Sequence, residues 1–122
     1  MTDVILAEQE IEPGRTEDAV ALFEEIGRVR DADDVMSALE REGVHTESAF
    51  LRRTDEADYV LYYIEAEDGE QVYDVYRDIV TDPEGEAEGL AEFVREFNDV
   101  MAGEPSVVEA DLLYHLVTPD RP

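Results

Sequence analysis

GVHTESAFLRRTDEADYVLYYIEAEDGEQVYDVYRDI, residues 43–79, decides the fold of this chain. Gly43 is a natural stop after a helix. Val44 to Arg53 reads as a strand, and Tyr59 to Ala66 is rich in β-branched and aromatic residues. Thr54-Asp55-Glu56-Ala57-Asp58 lies between them, so the two form a hairpin candidate. Asp68-Gly69 ends the second strand. Val72, Val75, Tyr76, Ile79 and Val80 then recur at helical spacing, up to a stop at Asp82-Pro83-Glu84-Gly85.

The flanks have the same grammar. Upstream, Val4 to Ile11 is a short apolar and acidic run closed by Glu12-Pro13-Gly14, which predicts a first strand. Thr16 is a cap candidate for a helix carrying Ala19, Val20, Phe23, Ile26 and Val29. A second, shorter helix follows, capped by Asp31 or Asp33, with Val35, Met36 and Leu39 as its stripe. Downstream, Leu90, Phe93, Val94, Phe97, Val100 and Met101 mark a long helix ending near Gly103, and Val107 to Val117 reads as the last strand. Strand, helices, strand, strand, helices, strand is the split βαβ order. The expected class is therefore α+β: a ferredoxin-like βαββαβ with paired helices in each crossover and an antiparallel sheet covered by helices on one face. Residues 1–118 are read as a single domain and 119–122 as a tail.

Alternation then asks what covers the other face of the sheet. Val60, Tyr62, Ile64 and Ala66 make one apolar face of their strand, but Tyr59, Leu61, Tyr63 and Glu65, on the other, are also too apolar for water. In the last strand Val108, Ala110, Leu112, Tyr114 and Leu116 alternate with Val107, Glu109, Asp111, Leu113, His115 and Val117. Pairing with a second copy buries such a face most simply, so a homodimer with the two sheets facing each other is expected.

The first strand followed by EPGRTEDAVALFEEI (12–26), together with residues 43–79, resembles the dimeric α/β-barrel superfamily that includes the antibiotic-biosynthesis monooxygenases. Within it the chain is most similar to small uncharacterised members from halophiles. The resemblance implies the ferredoxin-like fold and the dimeric barrel. It also brings in a range of activities, from cofactor-free oxygen chemistry to haem chemistry. Haem-degrading members use a Trp in the pocket, and this chain has none. No catalytic motif carries over residue by residue.

Charge bounds the rest. The 122 residues hold 34 acids against nine bases, a net −25, and every base is Arg. The acids are spread along the chain between apolar positions, which describes a solvated shell and not an acidic tail. Such a charge repels itself, and concentrated salt, with a screening length of roughly 3 Å at 1 M, removes the repulsion. No basic patch is present to release counterions, so nucleic acid is excluded as a partner and anionic membranes are disfavoured. No apolar run approaches a transmembrane span, the start is acidic and unlike a signal peptide, and a cytoplasmic location is expected. The chain has no Cys, which removes disulfides and thiolate chemistry.

Without Lys there is no P-loop, and neither a G-x-S-x-G elbow nor an H-E-x-x-H arrangement occurs. No metal site and no cofactor are expected. Asp31-Ala32-Asp33-Asp34 reads as an acidic helix start, and His45 as an exposed strand-start residue. One constellation remains. The open sheet face gathers Glu8, Glu10, Ser48, Phe50, Arg52, Tyr59, Tyr63, Glu65, Glu109, Asp111 and His115. In a catalytic reading, that of a cofactor-independent monooxygenase-like enzyme for a small hydrophobic or aromatic metabolite, His115 beside a carboxylate is the general base. Arg52 anchors an anionic substrate and Tyr63 donates to an oxyanion. Glu8, Phe50, Tyr59, Glu65 and Asp111 would line the ligand. In the competing reading Arg52 neutralises Glu8 or Glu65 across strands, His115 fills a dimer seam and the tyrosines pack. That reading makes the protein a dimer of unknown role that binds a small molecule in the barrel.

The charge yields a direct expectation. Far-UV circular dichroism should lose amplitude as salt is diluted from molar to millimolar. A fold unchanged at low ionic strength would leave the −25 charge without this explanation.

Overall fold

The computed structural model describes residues 3–26, 32–86 and 88–119, and the side chains of these except 32–35. Val29 and Asp31, expected in or capping helices, lie outside the described residues, as do the side chains of Asp33 and Val35. The elements run β1 (Asp3–Glu10), α1 (Thr16–Ile26), α2 (Ala32–Glu42), β2 (Val44–Arg53), β3 (Asp58–Ala66), α3 (Gly69–Thr81), α4 (Glu88–Val100) and β4 (Ser106–Val107), with a 3₁₀ turn at Pro83–Gly85. The strands form one antiparallel sheet in the order β2-β3-β1-β4. This is the ferredoxin-like order expected from the sequence.

Local chemistry accounts for the boundaries. Gly43 has φ +73°, a left-handed conformation that Gly adopts without steric cost, and so it turns α2 directly into β2. Asp68 caps α3 by accepting from the Glu70 amide at 3.0 Å. Thr16 opens α1, but its hydroxyl donates to Asp58 at 2.7 Å and so ties the helix to the start of β3.

Register sorts the side chains. Ile5 faces Ile64, Ala7 faces Tyr62 and Gln9 faces Val60 across the central ladder, and these residues look toward the helices. There they meet Ala19, Leu22, Phe97, Val100 and Met101, with Phe23, Tyr62, Tyr76 and Phe93 packed around them. A second cluster of Ala38, Ile79, Leu90 and Val94 shares Phe93 with the first. Phe23 meets Phe97 edge-on, with centroids 6.1 Å apart, and Phe93 stacks on Phe97 at 6.0 Å.

The last strand departs from expectation. Only Ser106–Val107 pair with β1, after which the Val108 amide donates to the Leu6 carbonyl at 2.8 Å. The expected strand to Val117 is instead an exposed segment without regular structure. Register supplies the reason. Val107 pairs with Ala7, so a continued ladder would set Glu109 beside Ile5 on the helix-facing side and Asp111 opposite Asp3. An acid against an apolar layer and two like charges across a ladder both destabilise pairing. Glu109 and Asp111 are exposed in this segment, outside any strand.

Candidate functional site

The sheet and its helices enclose a partly open cavity of about 750 Å³. The sheet contributes Ile5, Ala7, Glu47, Ala49, Leu51, Val60, Tyr62 and Ile64 as its floor. Helices α1 to α4 contribute Phe23, Leu39, Glu42, Tyr73, Tyr76, Ile79, Leu90 and Phe93, among others. The lining is overwhelmingly apolar and lies between the two hydrophobic clusters. Its size falls within the roughly 300–1,000 Å³ usual for small-molecule sites.

The polar groups lining this space or buried behind its lining divide into two sets. Gln9 is nearly fully buried. Its amide nitrogen donates to the Gly103 carbonyl at 2.7 Å, and its oxygen accepts from the Tyr62 hydroxyl at 2.9 Å. Burial raises the Tyr62 phenol well above its usual range and pushes Tyr76 up to about 12, so both stay protonated donors. The second set is carboxylic. Glu42, at the end of α2, is pushed up to about 8, first by desolvation and then by the charge of Glu47, with Arg41 opposing. Desolvation also raises Glu47, on β2. Glu47 borders the cavity and is itself exposed at the solvent surface, and Glu42 is half-buried.

Of the residues singled out from the sequence, Phe50 borders this cavity; the groups around His115 and Arg52 lie across the sheet from it, in two places. His115 Nε2 is 3.1 Å from Glu65 Oε1, and its Nδ1 is 3.5 Å from the Tyr63 hydroxyl. Tyr63 in turn donates to Glu65 at 2.9 Å. The C-terminal segment thus crosses the open face and covers Glu65, which is only 5% exposed. Arg52 lies elsewhere: Nη1 is 3.6 Å from Glu8 Oε2, and its guanidinium stands 6.0 Å from the Tyr59 ring centre. Tyr59 and Tyr63 are four residues apart on β3, about 13 Å at roughly 3.3 Å per residue. The structure therefore groups His115 with Tyr63 and Glu65, groups Arg52 with Glu8 and Tyr59, and does not converge the two. Phe50 is exposed on β2, and Ser48 is paired across the ladder with Tyr63. His45 is exposed and 2.8 Å from Glu67. Among the described residues no group of three or more His, Cys, Asp or Glu side chains could hold a metal ion, and no helix is long and apolar enough to cross a membrane.

Glu42, Glu47, Gln9, Tyr62 and Tyr76 were not singled out from the sequence. The signal was present: Glu47 alternates with Ala49 and Leu51, Gln9 with Ala7 and Ile11, and Glu42 follows Leu39 by three on the α2 stripe. Each is a polar residue on an apolar period.

Glu42 has a consequence for stability. Its folded-state pKa lies above the ordinary 4.5, so the folded chain holds the proton longer than the unfolded one. Its contribution is therefore full below pH 4.5 and is lost as the pH rises to about 8. Replacing Glu42→Gln should make the protein more stable than wild type at pH 8.5, by about 1–3 kcal/mol after discounting for solvent in the cavity, and nearly equal to it at pH 4.5. Chemical denaturation across pH in constant high salt reads the difference; parallel wild-type and variant curves would contradict it.

Comparison with known proteins agrees with the fold and narrows the family. The chain is similar in structure to a putative antibiotic biosynthesis monooxygenase from Nitrosomonas europaea, with TM-score 0.53 and 12% identity over 93% of this chain and 91% of that one. A second such protein, from Bordetella bronchiseptica, gives TM-score 0.53 and 20% identity over 92% and 98%. A NIPSNAP family protein from Agrobacterium tumefaciens gives TM-score 0.58 and 11% identity over 99% and 100%. No curated protein matches the chain in sequence. A family model described as a family of unknown function, DUF6176, matches residues 2–81, about two thirds of the chain, and the protein belongs to that family.

Proposed function

We propose that the protein binds a small, largely apolar molecule in the cavity between sheet and helices, and that it does so as a homodimer in concentrated salt. The cavity itself carries the reading. An apolar lining gives water few partners, so an apolar occupant suits the space better than solvent does. The polar groups at its margins, few and fixed, would orient such a molecule.

Exposed apolar side chains support the dimer. Leu6 and Phe50 stand on the open face, and the segment crossing it exposes Leu112, Leu113, Tyr114 and Leu116, Leu113 by 90%. In a chain with 35% charged residues, exposed apolar side chains of this size fit an interface with a second copy. A second reading has an observation of its own: His115, Tyr63 and Glu65 form a set fit for proton transfer, as a monooxygenase-like enzyme would need. It ranks second because Arg52 is engaged with Glu8, away from His115. Oxygen uptake with an aromatic substrate that disappears in His115→Ala would promote it.

Two measurements test the main reading. Titration with indole, followed by methyl NMR in 2 M KCl, should give saturable shifts at Val60, Ile79 and Leu90, with binding weakened at least about tenfold by Ala49→Phe, which fills the cavity from β2. Shifts that never saturate, or that the variant leaves unchanged, would remove the cavity as a site. Light scattering in the same salt should report twice the 13.8 kDa chain mass, falling to one chain in Phe50→Asp/Leu113→Asp. A wild-type monomer at micromolar concentration would remove the dimer.

A further inference from the structure

We infer that the segment from Val108 to Val117 pairs as a strand with the outer edge of β2 in a second copy of this chain, and that its Leu113 closes the second copy's cavity on the β2 side. The inference rests on the homodimer and cavity readings above and names the element that each copy supplies to the other.

The segment has the sequence of a strand but no ladder. Val108, Ala110, Leu112, Tyr114 and Leu116 alternate with Glu109, Asp111, Leu113 and His115. Yet beyond the Val108 amide, no backbone group up to Thr118 is hydrogen-bonded to another backbone group among the described residues. His115 ties the segment to Glu65 and Tyr63, while Leu113, Tyr114 and Leu116 stay 90, 75 and 83% exposed. Pairing along its own β1 is opposed by charge, through Glu109 beside Ile5 and Asp111 opposite Asp3.

The outer edge of β2 is the complementary half. This strand is ten residues long, ends the sheet, and has no further strand beside it among the described residues. The other edge of the sheet, β4, has only two residues. A long edge carrying exposed Phe50 and Leu51 is a surface that proteins cover, and residues 108–117 match it in length.

Charge sets the direction. At its end β2 carries Arg52 and Arg53, the one place in the chain where two bases adjoin. Their pairs with Glu8, Glu17 and Asp58 are solvent-exposed on the Arg side and hold them only weakly. Antiparallel pairing with Glu109 opposite Arg53 sets Asp111 diagonal to the same Arg, Leu112 opposite Phe50, Leu113 opposite Ala49 and His115 opposite Glu47. Parallel pairing over the same span would set Asp111 opposite Glu47 and leave both Arg beside Leu116 and Val117. Opposed residues share a face of the sheet, and Glu47, Ala49 and Leu51 are exposed residues that line the cavity. Leu113 of the second copy therefore lies over that open margin. A two-fold axis makes the exchange mutual.

The chain has no Cys, so an introduced disulfide reports the pairing. Ala49→Cys/Leu113→Cys, oxidised in 2 M KCl and desalted, should migrate on a non-reducing gel as two linked chains. Each single variant, and Ala49→Cys/Leu116→Cys on the wrong face, should stay at one chain. Phe50→Cys/Leu112→Cys, the next pair in the same register, repeats the test at a second geometry. Thiols lost without a linked dimer would place the segment on its own chain. A light-scattering dimer in which neither pair links would likewise overturn the exchanged strand, while leaving the dimer intact. A monomer would overturn both. In the dimer, Leu113→Ala should weaken indole binding about threefold or more, and Leu116→Ala less than about twofold. Equal effects would remove Leu113 from the cavity wall, and a wild type that binds no indole would overturn the cavity reading itself.

Discussion

The antiparallel ladder between β1 and β3 pairs Asp3 with Ala66 at one end and Glu10 with Tyr59 at the other. A one-residue slip along it would turn every side chain of the central strands to the opposite face. In the observed register Ile5, Ala7, Gln9 and Ile11 meet the helices together with Val60, Tyr62 and Ile64. Glu8, Tyr59, Tyr63 and Glu65 go to the other side. Both candidate sites, the cavity under the helices and the polar clusters on the open face, are products of that parity. So is the early end of β4, because the same register would carry Glu109 into the apolar layer.

The helices cover the sheet without closing on it. Phe23, Phe93 and Phe97 fill one region and Ala38, Ile79, Leu90 and Val94 another, with the cavity between them. Small residues on the floor, Ala7 and Ala49, leave room that larger ones would take. Acids at Glu42 and Glu47 occupy positions where the apolar period calls for Leu or Val. Glu42 is half-buried and Glu47 exposed there, so both stand at the margin of the cavity and not inside the packed clusters.

Most of the architecture was legible in the sequence. Gly43, Thr54 to Asp58, Asp68-Gly69 and the Pro83 turn punctuate the chain, and helical and strand periods between them gave the element order. The length of β4 was not legible, because alternation from 107 to 117 shows what a strand would look like and not whether its partner's charges permit one. The Arg52–Glu8 pair and the His115–Glu65 contact both matched residues chosen from the sequence, yet their separation depends on register and on the path of the C-terminal segment. The cavity was invisible to that reading for a simpler reason: unfilled volume is a property of packing, and only its polar intruders leave a trace in the sequence.

The central claim is that the space between sheet and helices is real, apolar and open to a guest. Crystals grown from concentrated KCl and pressurised with xenon test it most directly, since xenon enters apolar cavities without needing a polar partner. The account predicts xenon density bounded by Phe23, Val60, Ile79 and Phe93. A core closed over those residues, with no xenon bound there, would contradict it.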